Sequence, residues 1–526
     1  MSFGRRLLVV IMTVGAMSAL GFLIAAATTP SPVPLNSGAD LDLGSDRLPQ
    51  TATDSLGNWV TVWYSNENLG GTIGTDNDVF VSRSGDDGAA WTAPAALNTN
   101  AATDSGGDFN PQVATDGSGN WVAVWYSSDS LIGTIGTDFD ILVSRSANNG
   151  LTWTAPVALN TNAGTDTGGD FLPTVTTDGL GNWVTAWYSN ENLGGVIGTD
   201  NDIFVSRSGD DGATWTAPVV LNTNAATDSG SDLNPHVATD GSGAWVAAWY
   251  SNDDLAGTIG TDFDILVSTS ANSGATWTAP AALNPNAATD TEGDFSPRVT
   301  PDGLGNWVAV WYSDDSLGGW IGGDKDILMS RSADGAATWS SPIPLNTNAP
   351  TDAGNDSNPQ ATTDGGGNWI SVWDSTDSLG GTIGIDFDIL YTTCSPLDAD
   401  CDEVLDATDN CPNWANTAQG LPVWTVPASD VDCDGFQSSK ETFMGTLPLA
   451  ACPSTTIADD EDGDPWPPDF NDNRSVDIID IGALRPAFNS SDGDANYSKR
   501  LDLTADGFIN ILDIGALRPF FGKTCA

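Results

Sequence analysis

Carboxylates at alternating positions mark two stretches in the C-terminal quarter of the chain. Residues 398–412 read DADCDEVLDATDNCP and residues 430–441 read DVDCDGFQSSKE. Calcium takes about six to eight hard oxygen ligands, and alternate positions of a tight loop can turn carboxylates toward one centre. We therefore predict calcium ligands in both stretches, with a solvated acidic linker as the alternative. The predicted ligands are Asp398, Asp400, Asp402, Asp406, Asp409, Asp430, Asp432, Asp434 and Glu441.

Pairs of aspartates also recur every 62 residues through the first three quarters of the chain. One pair has the form D-x-D, at 76/78, 138/140, 200/202, 262/264, 324/326 and 386/388. The other pair lies at 42/46, 104/108, 166/170, 228/232, 290/294 and 352/356. Two interpretations stay open: a ring of calcium or polar-ligand sites, or carboxylates that cap repeated turns, which we prefer.

One repeat position varies in chemical character, as a binding site on a ring of similar units requires. It holds Gln50, Gln112, Thr174, His236, Arg298 and Gln360. His236 is the only histidine of the chain, and a lone histidine is also compatible with a purely structural role. We name His236, Arg298 and Arg47 as candidate ligand-binding residues and assign no catalytic residue.

The elements that position these residues are six repeats. The phrase GNWVTVWYS around Trp59 recurs at intervals of 62 residues up to Trp369. Within the second repeat we predict strands over 111–116, 120–127, 140–146 and 152–160, because each is rich in Val, Ile, Trp and Thr and bounded by Gly, Asn and Asp. Four strands in each of six repeats predict a mainly β fold, a six-bladed β-propeller followed by small calcium-loop modules with short helices.

The sixth repeat lacks the last strand, and the start of the chain offers a replacement. Residues 31–38 read SPVPLNSG, close to SPIPLNTN at 341–348. We predict that residues 30–36 supply the outer strand of the sixth blade, because closing the ring with both chain ends removes exposed strand edges.

The phrase SGDDGATW at 208–215 matches the Asp-box S-x-D-x-G-x-T-W, and the repeats resemble sialidase-type (BNR repeat) propellers. The resemblance implies a structural Asp-box aspartate. It also implies, for an enzyme, a three-arginine clamp, a Tyr–Glu nucleophile pair and an aspartate acid/base. Four of the propeller's arginines (83, 145, 207 and 331) instead share one slot beside the Asp-box, and the tyrosines are repeat residues. A glycan- or surface-ligand-binding propeller is the leading hypothesis, with an exo-glycosidase of sialidase type and a purely structural surface protein as alternatives.

The C-terminal motifs resemble three calcium modules. Residues 398–412 resemble a thrombospondin type 3 repeat, and residues 430–441 have the spacing of an EF-hand loop. Residues 469–488 and 502–521 duplicate each other and resemble the dockerin type I repeat, a calcium loop followed by a short helix. This last resemblance implies Ca²⁺ as cofactor, held by Asp469, Asn471, Asn473, Asp477, Asp480, Asp502, Thr504, Asp506, Asn510 and Asp513.

The dockerin resemblance also implies a cohesin-like partner. The loop positions that help to choose a cohesin are here the apolar pairs Ile478-Ile479 and Ile511-Leu512, rather than the frequent Ser/Thr pair, and Arg474 replaces the usual glycine of the first loop. Pro486 and Pro519 are expected to end the two helices. The alternative is a self-contained surface module stiffened by calcium.

Charge and targeting signals limit the partners. The chain has 526 residues, with 70 acidic against 16 basic residues and a net charge of −54, which excludes unaided binding to nucleic acid or anionic membranes. Adaptation to high salt is an alternative explanation of that acidity. MSFGRR followed by an apolar run up to Ala27 predicts a secretory signal, so we expect a secreted or cell-surface protein. The chain is membrane-bound only if this segment stays uncleaved.

Six cysteines (394, 401, 411, 433, 452 and 525) predict three disulfides of open connectivity. The predicted segments are a signal peptide (1–27), the propeller (28–394), an acidic calcium region (395–452), a linker (453–468) and a dockerin-like domain (469–526).

Overall fold

A computed structural model describes residues 34–35, 44–317, 321–346, 348–349, 353–384, 386–394, 436–446, 466–471 and 475–523. The repeats form six antiparallel sheets, which confirms the predicted six-bladed propeller. The first strands of the blades are β1 (Arg47–Thr53), β5 (Asp108–Thr115), β9 (Asp170–Thr177), β13 (Asp232–Thr239), β17 (Asp294–Pro301) and β21 (Asp356–Thr363). The second strands are β2 (Trp59–Ser65), β6 (Trp121–Ser127), β10 (Trp183–Ser189), β14 (Trp245–Ser251), β18 (Trp307–Ser313) and β22 (Trp369–Ser375).

The outer half of each blade is less regular. The third strands are β3 (Asp78–Ser84), β7 (Asp140–Ser146), β11 (Asp202–Ser208), β15 (Asp264–Ser270), β19 (Asp326–Ser332) and β23 (Asp388–Cys394). The fourth strands have two residues each: β4 (Ala95–Ala96), β8 (Val157–Ala158), β12 (Val219–Val220), β16 (Ala281–Ala282) and β20 (Ile343–Pro344). In the second blade a strand over 152–160 was expected. Pro156 lacks a backbone N–H and interrupts the ladder, while Thr154 and Leu159 still donate to β7 at 2.9 and 2.7 Å.

The first strand of each blade begins earlier than the sequence predicted. In the second blade β5 starts at Asp108, and its pairing with β6 shifts between Phe109 and Gln112. Asn110 has a φ of 53° just before Pro111, so this shift is a β-bulge. The bulge keeps Asp108 hydrogen-bonded in the sheet while the chain turns in from the preceding blade.

Neighbouring blades pack through one repeated interface. Between the second and third blades, Val122, Ile141 and Val143 of one blade meet Trp183 and Trp187 of the next, all buried. The first strands of consecutive blades also contact one another, which makes them the innermost strands, as predicted. Five such interfaces bury the core of the propeller.

An aspartate at the start of each first strand fastens this interface. The indole Nε1 of Trp125 donates to Asp108 Oδ1 at 2.9 Å, and the Asn98 amide donates to Asp108 Oδ2 at 2.7 Å. The first, fourth and fifth blades repeat the indole contact at 2.9 to 3.0 Å. Burial raises the pKa of Asp108 well above its usual range. This aspartate column is therefore structural.

The sixth blade shows three strands in the described residues, β21, β22 and β23. Ile389 and Tyr391 of its third strand are 72% and 69% exposed, whereas the matching Ile327 and Met329 of the fifth blade are buried. The segment expected to add the fourth strand (30–36) lies outside the described residues except for 34–35, which are not in a strand. Cys394 at the end of β23 is disulfide-bonded, and the other cysteines lie outside the described residues.

The C-terminal part contains short elements around a separate core. They are α1 (Ser438–Met444), α2 (Ile478–Ala483), β24 (Ser490–Ser491), β25 (Phe508–Ile509) and α3 (Ile511–Leu517), with 3₁₀ turns at Leu379–Gly381 in the sixth blade and at Lys499–Leu501. Trp466, Val476, Leu503 and Phe520 are buried together with Met444 of α1. Both dockerin-type helices end before Pro486 and Pro519, as predicted. In the part of the chain that the structure describes, no helix is long and apolar enough to span a membrane.

Candidate functional site

The recurring aspartate pairs separate into two roles. In the first, second, fourth and fifth blades the second loop aspartate accepts from the tryptophan indole of the second strand, as described above. The first loop aspartate instead meets the D-x-D pair of the preceding blade, so that one oxygen from each of three carboxylates lies within 4.8 Å of the others. Four such triads occur among the described residues: Asp76/Asp78/Asp104, Asp138/Asp140/Asp166, Asp200/Asp202/Asp228 and Asp262/Asp264/Asp290.

Backbone hydrogen bonds between two loops hold each triad together. Asp78 is the first residue of β3, and Asp104 lies in the loop that enters the next blade. Gly74 N–H donates to the Ala101 carbonyl at 3.2 Å, and Asp108 N–H donates to the Asn77 carbonyl at 2.8 Å. The three carboxylates therefore come together because the D-x-D loop and the inter-blade loop are bonded to each other.

Burial and the proximity of other carboxylates disfavour the charged forms of the triad aspartates. Burial first, and then the charges of Asp104 and Asp76, raise the pKa of Asp78 to about 7, although the Asn98 hydrogen bond lowers it. Burial and the charges of Asp129 and Asp76 raise the pKa of Asp104 to about 6. The same pattern holds in the next three blades, where the pKa values of both carboxyls are raised to between about 6 and 8.

An asparagine that the sequence reasoning missed organises each triad. The Asn98 amide donates to Asp78 Oδ1 and to Asp108 Oδ2, both at 2.7 Å, and its oxygen accepts from Val79 N–H at 3.1 Å. Asn160, Asn222 and Asn284 repeat this arrangement. In the sequence this asparagine is visible as the second residue of a Leu-Asn pair that follows the fourth strand of each of these blades.

The Asp-box aspartate is a turn residue, as its motif implies. Asp210 Oδ1 accepts from Thr214 N–H at 2.8 Å, and Ser208 Oγ donates to it at 2.8 Å. The hydrogen bond from the Thr214 hydroxyl, followed by those from the Thr214 N–H and the Ser208 hydroxyl, lowers the pKa of Asp210. Arg83 beside the first Asp-box donates to the Asn149 carbonyl of the next blade at 2.6 Å, so this arginine is a link between blades.

His236 and Arg298 lie side by side on the innermost strands of the fourth and fifth blades. Val299 N–H donates to His236 Nδ1 at 3.3 Å, and Arg298 Nη1 donates to the Pro297 carbonyl at 2.9 Å. Burial lowers the pKa of Arg298 to about 10. Burial, and then the charge of Arg298, lower the pKa of His236 to about 3. Arg47 is exposed at the start of β1 in the first blade.

We expect His236 to stay neutral across physiological pH. Its folded-state pKa lies far below the unfolded value of 6.5, because burial and Arg298 both disfavour the imidazolium. The carbon-bound proton resonances of this single histidine should show no midpoint between pH 5 and pH 8 in a proton NMR titration. A midpoint close to 6.5 would contradict the half-buried placement beside Arg298, and unfolded protein in urea supplies the reference curve.

The structure does not assemble the sialidase clamp from these residues. Arg298 lies beside the neutral His236 and donates to a backbone carbonyl, and Arg47 stands in another blade. The glycosidase alternative therefore gains no support from this column.

Half-buried aromatic rings line the end of the propeller that carries the long loops. Phe109 stacks on Tyr126 with ring centroids 5.4 Å apart, and Phe171 stacks on Tyr188 at the same distance. Phe139 lies edge-on to Tyr126 at 5.5 Å, which joins the two pairs. On the same loops, a groove of about 610 Å³ opens in the fourth blade, lined by Asn224, Asp228, Asn252, Asp253, Asp254 and Leu255.

The predicted C-terminal ligands are only partly described. Asp502 and Asp513 are buried, and the Thr504 hydroxyl donates to both carboxylates at 3.3 and 3.1 Å. Asp469 and Asp480 are buried in the first loop. Asp477 and Asn510 cap the starts of α2 and α3, and Asp506 accepts from Phe508 N–H. Glu441 is buried in α1, while Asn473 and the predicted ligands between 398 and 434 lie outside the described residues.

Comparisons with known proteins agree with this architecture. Residues 119–369 match the BNR repeat-like domain and residues 467–520 match the dockerin type I domain. The propeller is thus similar to a BNR repeat-like domain, and the C-terminal unit is similar to a type I dockerin domain. No curated protein matches the chain.

Solved structures with a similar fold include a Hadza microbial sialidase, at 15% identity over 69% of this chain and 68% of that chain with a TM-score of 0.39. An α-L-arabinanase of Penicillium chrysogenum complexed with arabinobiose matches at 15% identity over 68% of this chain and 94% of that chain, with a TM-score of 0.41. A leech intramolecular trans-sialidase matches at 11% identity over 67% and 68%, with a TM-score of 0.40. Such identities say nothing about activity.

Proposed function

We propose that this chain is an extracellular, non-catalytic binding propeller that its dockerin domain attaches to a cohesin-bearing partner. The observation that carries the proposal is the dockerin match over residues 467–520, together with the duplicated loop–helix units found there. A dockerin domain attaches its protein to a partner, so the propeller is the domain that this attachment places on the partner. The predicted secretory signal is consistent with an extracellular location.

The attachment surface is the exposed start of the two dockerin helices. Ile478 and Ile479 open α2, and Ile511 and Leu512 open α3, with exposed fractions between 56% and 69%. The same helices bury Leu517 against the domain core. Exposed apolar pairs on a small acidic domain are a surface that a protein partner can cover.

Calcium fits the second dockerin loop on the chemistry of its donors. Asp502, Thr504 and Asp513 are hard oxygen donors gathered at the start of α3, the ligand type that Ca²⁺ prefers. Bound calcium would supply the positive charge that two buried carboxylates lack. The residues themselves hold the loop, since Asp502 accepts from Asp506 N–H and Gly507 N–H. We extend the calcium proposal to the acidic region 395–452, on its sequence alone.

Cohesin binding tests the attachment directly. Purified protein from residue 28 onward should bind an immobilised type I cohesin in millimolar calcium and lose binding in EDTA. Replacing Ile478, Ile479, Ile511 and Leu512 with aspartate should weaken binding at least about tenfold, because each buried apolar side chain contributes about 1.5–3 kcal/mol. Ile132→Asp is the matched control, since Ile132 is 95% exposed in the propeller. Failure to bind across a panel of cohesins would refute the attachment and leave a self-contained surface module.

Glycans are the ligand class that the loop-bearing end of the propeller supports best. Half-buried aromatic rings such as Phe109 and Tyr126 offer faces to sugar rings, and the acidic groove beside Asp253 offers hydrogen-bond acceptors. In a glycan array with calcium we expect binding that Tyr126→Ala weakens. A fluorogenic glycoside panel, headed by a sialoside, should show no turnover. Turnover that Arg298→Ala abolishes would instead identify a glycosidase.

A further inference from the structure

We propose that the four carboxylate triads of the propeller are calcium sites, each joining one blade to the loop that enters the next. Their members are Asp76/Asp78/Asp104 and the corresponding residues of the second, third and fourth blades. These sites are separate from those of the C-terminal modules. They would make calcium a component of the propeller itself.

The first observation is a fully buried oxygen without a partner in every triad. Asp78, Asp140, Asp202 and Asp264 are 0% exposed, and one oxygen of each accepts from an asparagine amide. The other oxygen, Oδ2, has no hydrogen-bond partner in the described structure. Buried polar side-chain atoms are nearly always paired, because leaving one bare costs the desolvation of that group. Four equivalent bare oxygens mark a ligand position.

The second observation is an amide oxygen that accompanies each triad. Asn100 lies in the same loop as Asp104, whose N–H donates to the Asn100 carbonyl at 3.2 Å. The side-chain oxygens of Asn100, Asn162, Asn224 and Asn286 are buried and have no partner in the described structure. In the second and fourth sites the amide nitrogen donates to the triad aspartate at 2.6 and 2.7 Å, so the side chain lies against the carboxylates. A flip of the amide would place its oxygen, in the position of its nitrogen, where it could bind a cation held by the carboxylates.

The surroundings of the triads are acidic. The charged groups that face them from neighbouring loops are Asp129, Glu191, Asp253 and Asp315. Arg83, Arg145, Arg207 and Arg331 lie at the other end of the blades, beside the Asp-boxes. Within the described residues, the positive charge that would balance three carboxylates is therefore not supplied by the protein.

The donor set favours calcium, because Mg²⁺ usually keeps several waters and is seldom enclosed by protein ligands alone. Every candidate ligand is a carboxylate or amide oxygen, which suits Ca²⁺, whereas Zn²⁺ favours sulfur and nitrogen ligands. The ligands come from two loops rather than from one short motif, so the ion would cross-link the D-x-D loop and the inter-blade loop. Calcium would then tie each blade to the next at its loop-bearing end.

The test is a quadruple variant of the full chain from residue 28, with Asp76, Asp138, Asp200 and Asp262 replaced by asparagine. Calcium bound per molecule is counted by native mass spectrometry or elemental analysis, and thermal unfolding is followed by tryptophan fluorescence. We expect four fewer calcium ions in the variant. We also expect its Tm to lie below wild type in millimolar calcium and above wild type in EDTA, where removing a charge relieves repulsion.

The matched control replaces Asp54, Asp116, Asp178 and Asp240 with asparagine, which removes the same number of charges at the opposite end of the blades. These aspartates accept from turn N–H groups, as Asp116 does from Ser118 and Asn120. Their replacement should leave the calcium count unchanged. The C-terminal sites are intact in both variants and cancel from the comparison.

If the triad aspartates only cap turns, their replacement should not change the number of bound calcium ions. An unchanged calcium count in the Asp76/138/200/262 variant, or a Tm lowered equally in calcium and in EDTA, would overturn the proposal. If the quadruple variant does not fold, Asp138→Asn alone decides: one ion fewer supports the site, and an unchanged count refutes it.

Discussion

Replacing Trp311 with alanine is expected to lower the free energy of unfolding of the propeller by about 3–5 kcal/mol. Trp311 is fully buried and packs with Val246, Ile265 and Val267 of the preceding blade. Its Nε1 also donates to the buried Asp294 at 3.0 Å. The substitution therefore opens a cavity in an interface between blades and leaves a buried carboxylate short of a donor. Urea unfolding followed by circular dichroism measures the loss.

Trp91→Ala is the control for this prediction. Trp91 is half-buried, and its Nε1 donates to the Gly88 carbonyl within its own Asp-box hairpin at 3.1 Å. Its replacement should cost clearly less, about 1 kcal/mol. Equal losses from the two variants would show that packing between blades is not what stabilises the propeller.

In chelated protein, the stability of the propeller should fall as pH rises from about 5 to about 8. Burial and mutual repulsion raise the pKa of Asp78 to about 7 and that of Asp290 to about 8, well above the 3.8 of the unfolded chain. Across this interval the folded state binds more protons than the unfolded state, so raising the pH favours unfolding. Each unit of pKa difference corresponds to about 1.4 kcal/mol, and eight triad carboxyls shift in the same direction.

Tm measured in EDTA at steps of pH tests this prediction. His236 acts in the opposite direction, because its lowered pKa makes the folded state bind fewer protons below about 6.5, but it is a single group. A Tm that rises with pH in EDTA would show that the triad carboxyls are not forced together in the folded protein. Repeating the series in calcium should reduce the slope, since an ion compensates the charges that protons otherwise neutralise.

The architecture could be predicted from the sequence because the same pattern of strands recurs in six repeats. Trp121 and its equivalents, alternating with Val and Ala, identified the second strands, and the innermost position of the first strands was also confirmed. The shortened fourth strand was missed because Pro156 acts on the hydrogen-bond ladder and not on composition. The bulge before Pro111 was missed because it depends on how the loop arrives from the previous blade.

The site was harder to predict than the fold. Asp104 and Asp108 recur together in every repeat, and the sequence does not distinguish their roles. In the structure Asp108 accepts from Trp125, whereas Asp104 joins the triad. Only the pairing of two loops separates these roles. Asn98 was overlooked because asparagine near a turn is ordinary, and its contacts with Asp78 and Asp108 appear only when the two loops meet.

The sameness of the interfaces between blades has a consequence for how the gene can change. Each of the first five blades offers one face of Val and Ile and receives the tryptophans of its successor, so these units are interchangeable at their interfaces. Recombination that duplicates or deletes one whole 62-residue unit leaves all remaining interfaces with their partners. An insertion of a single residue within a strand shifts the register of that strand. The number of blades is therefore easier for recombination to alter than the structure of a single blade.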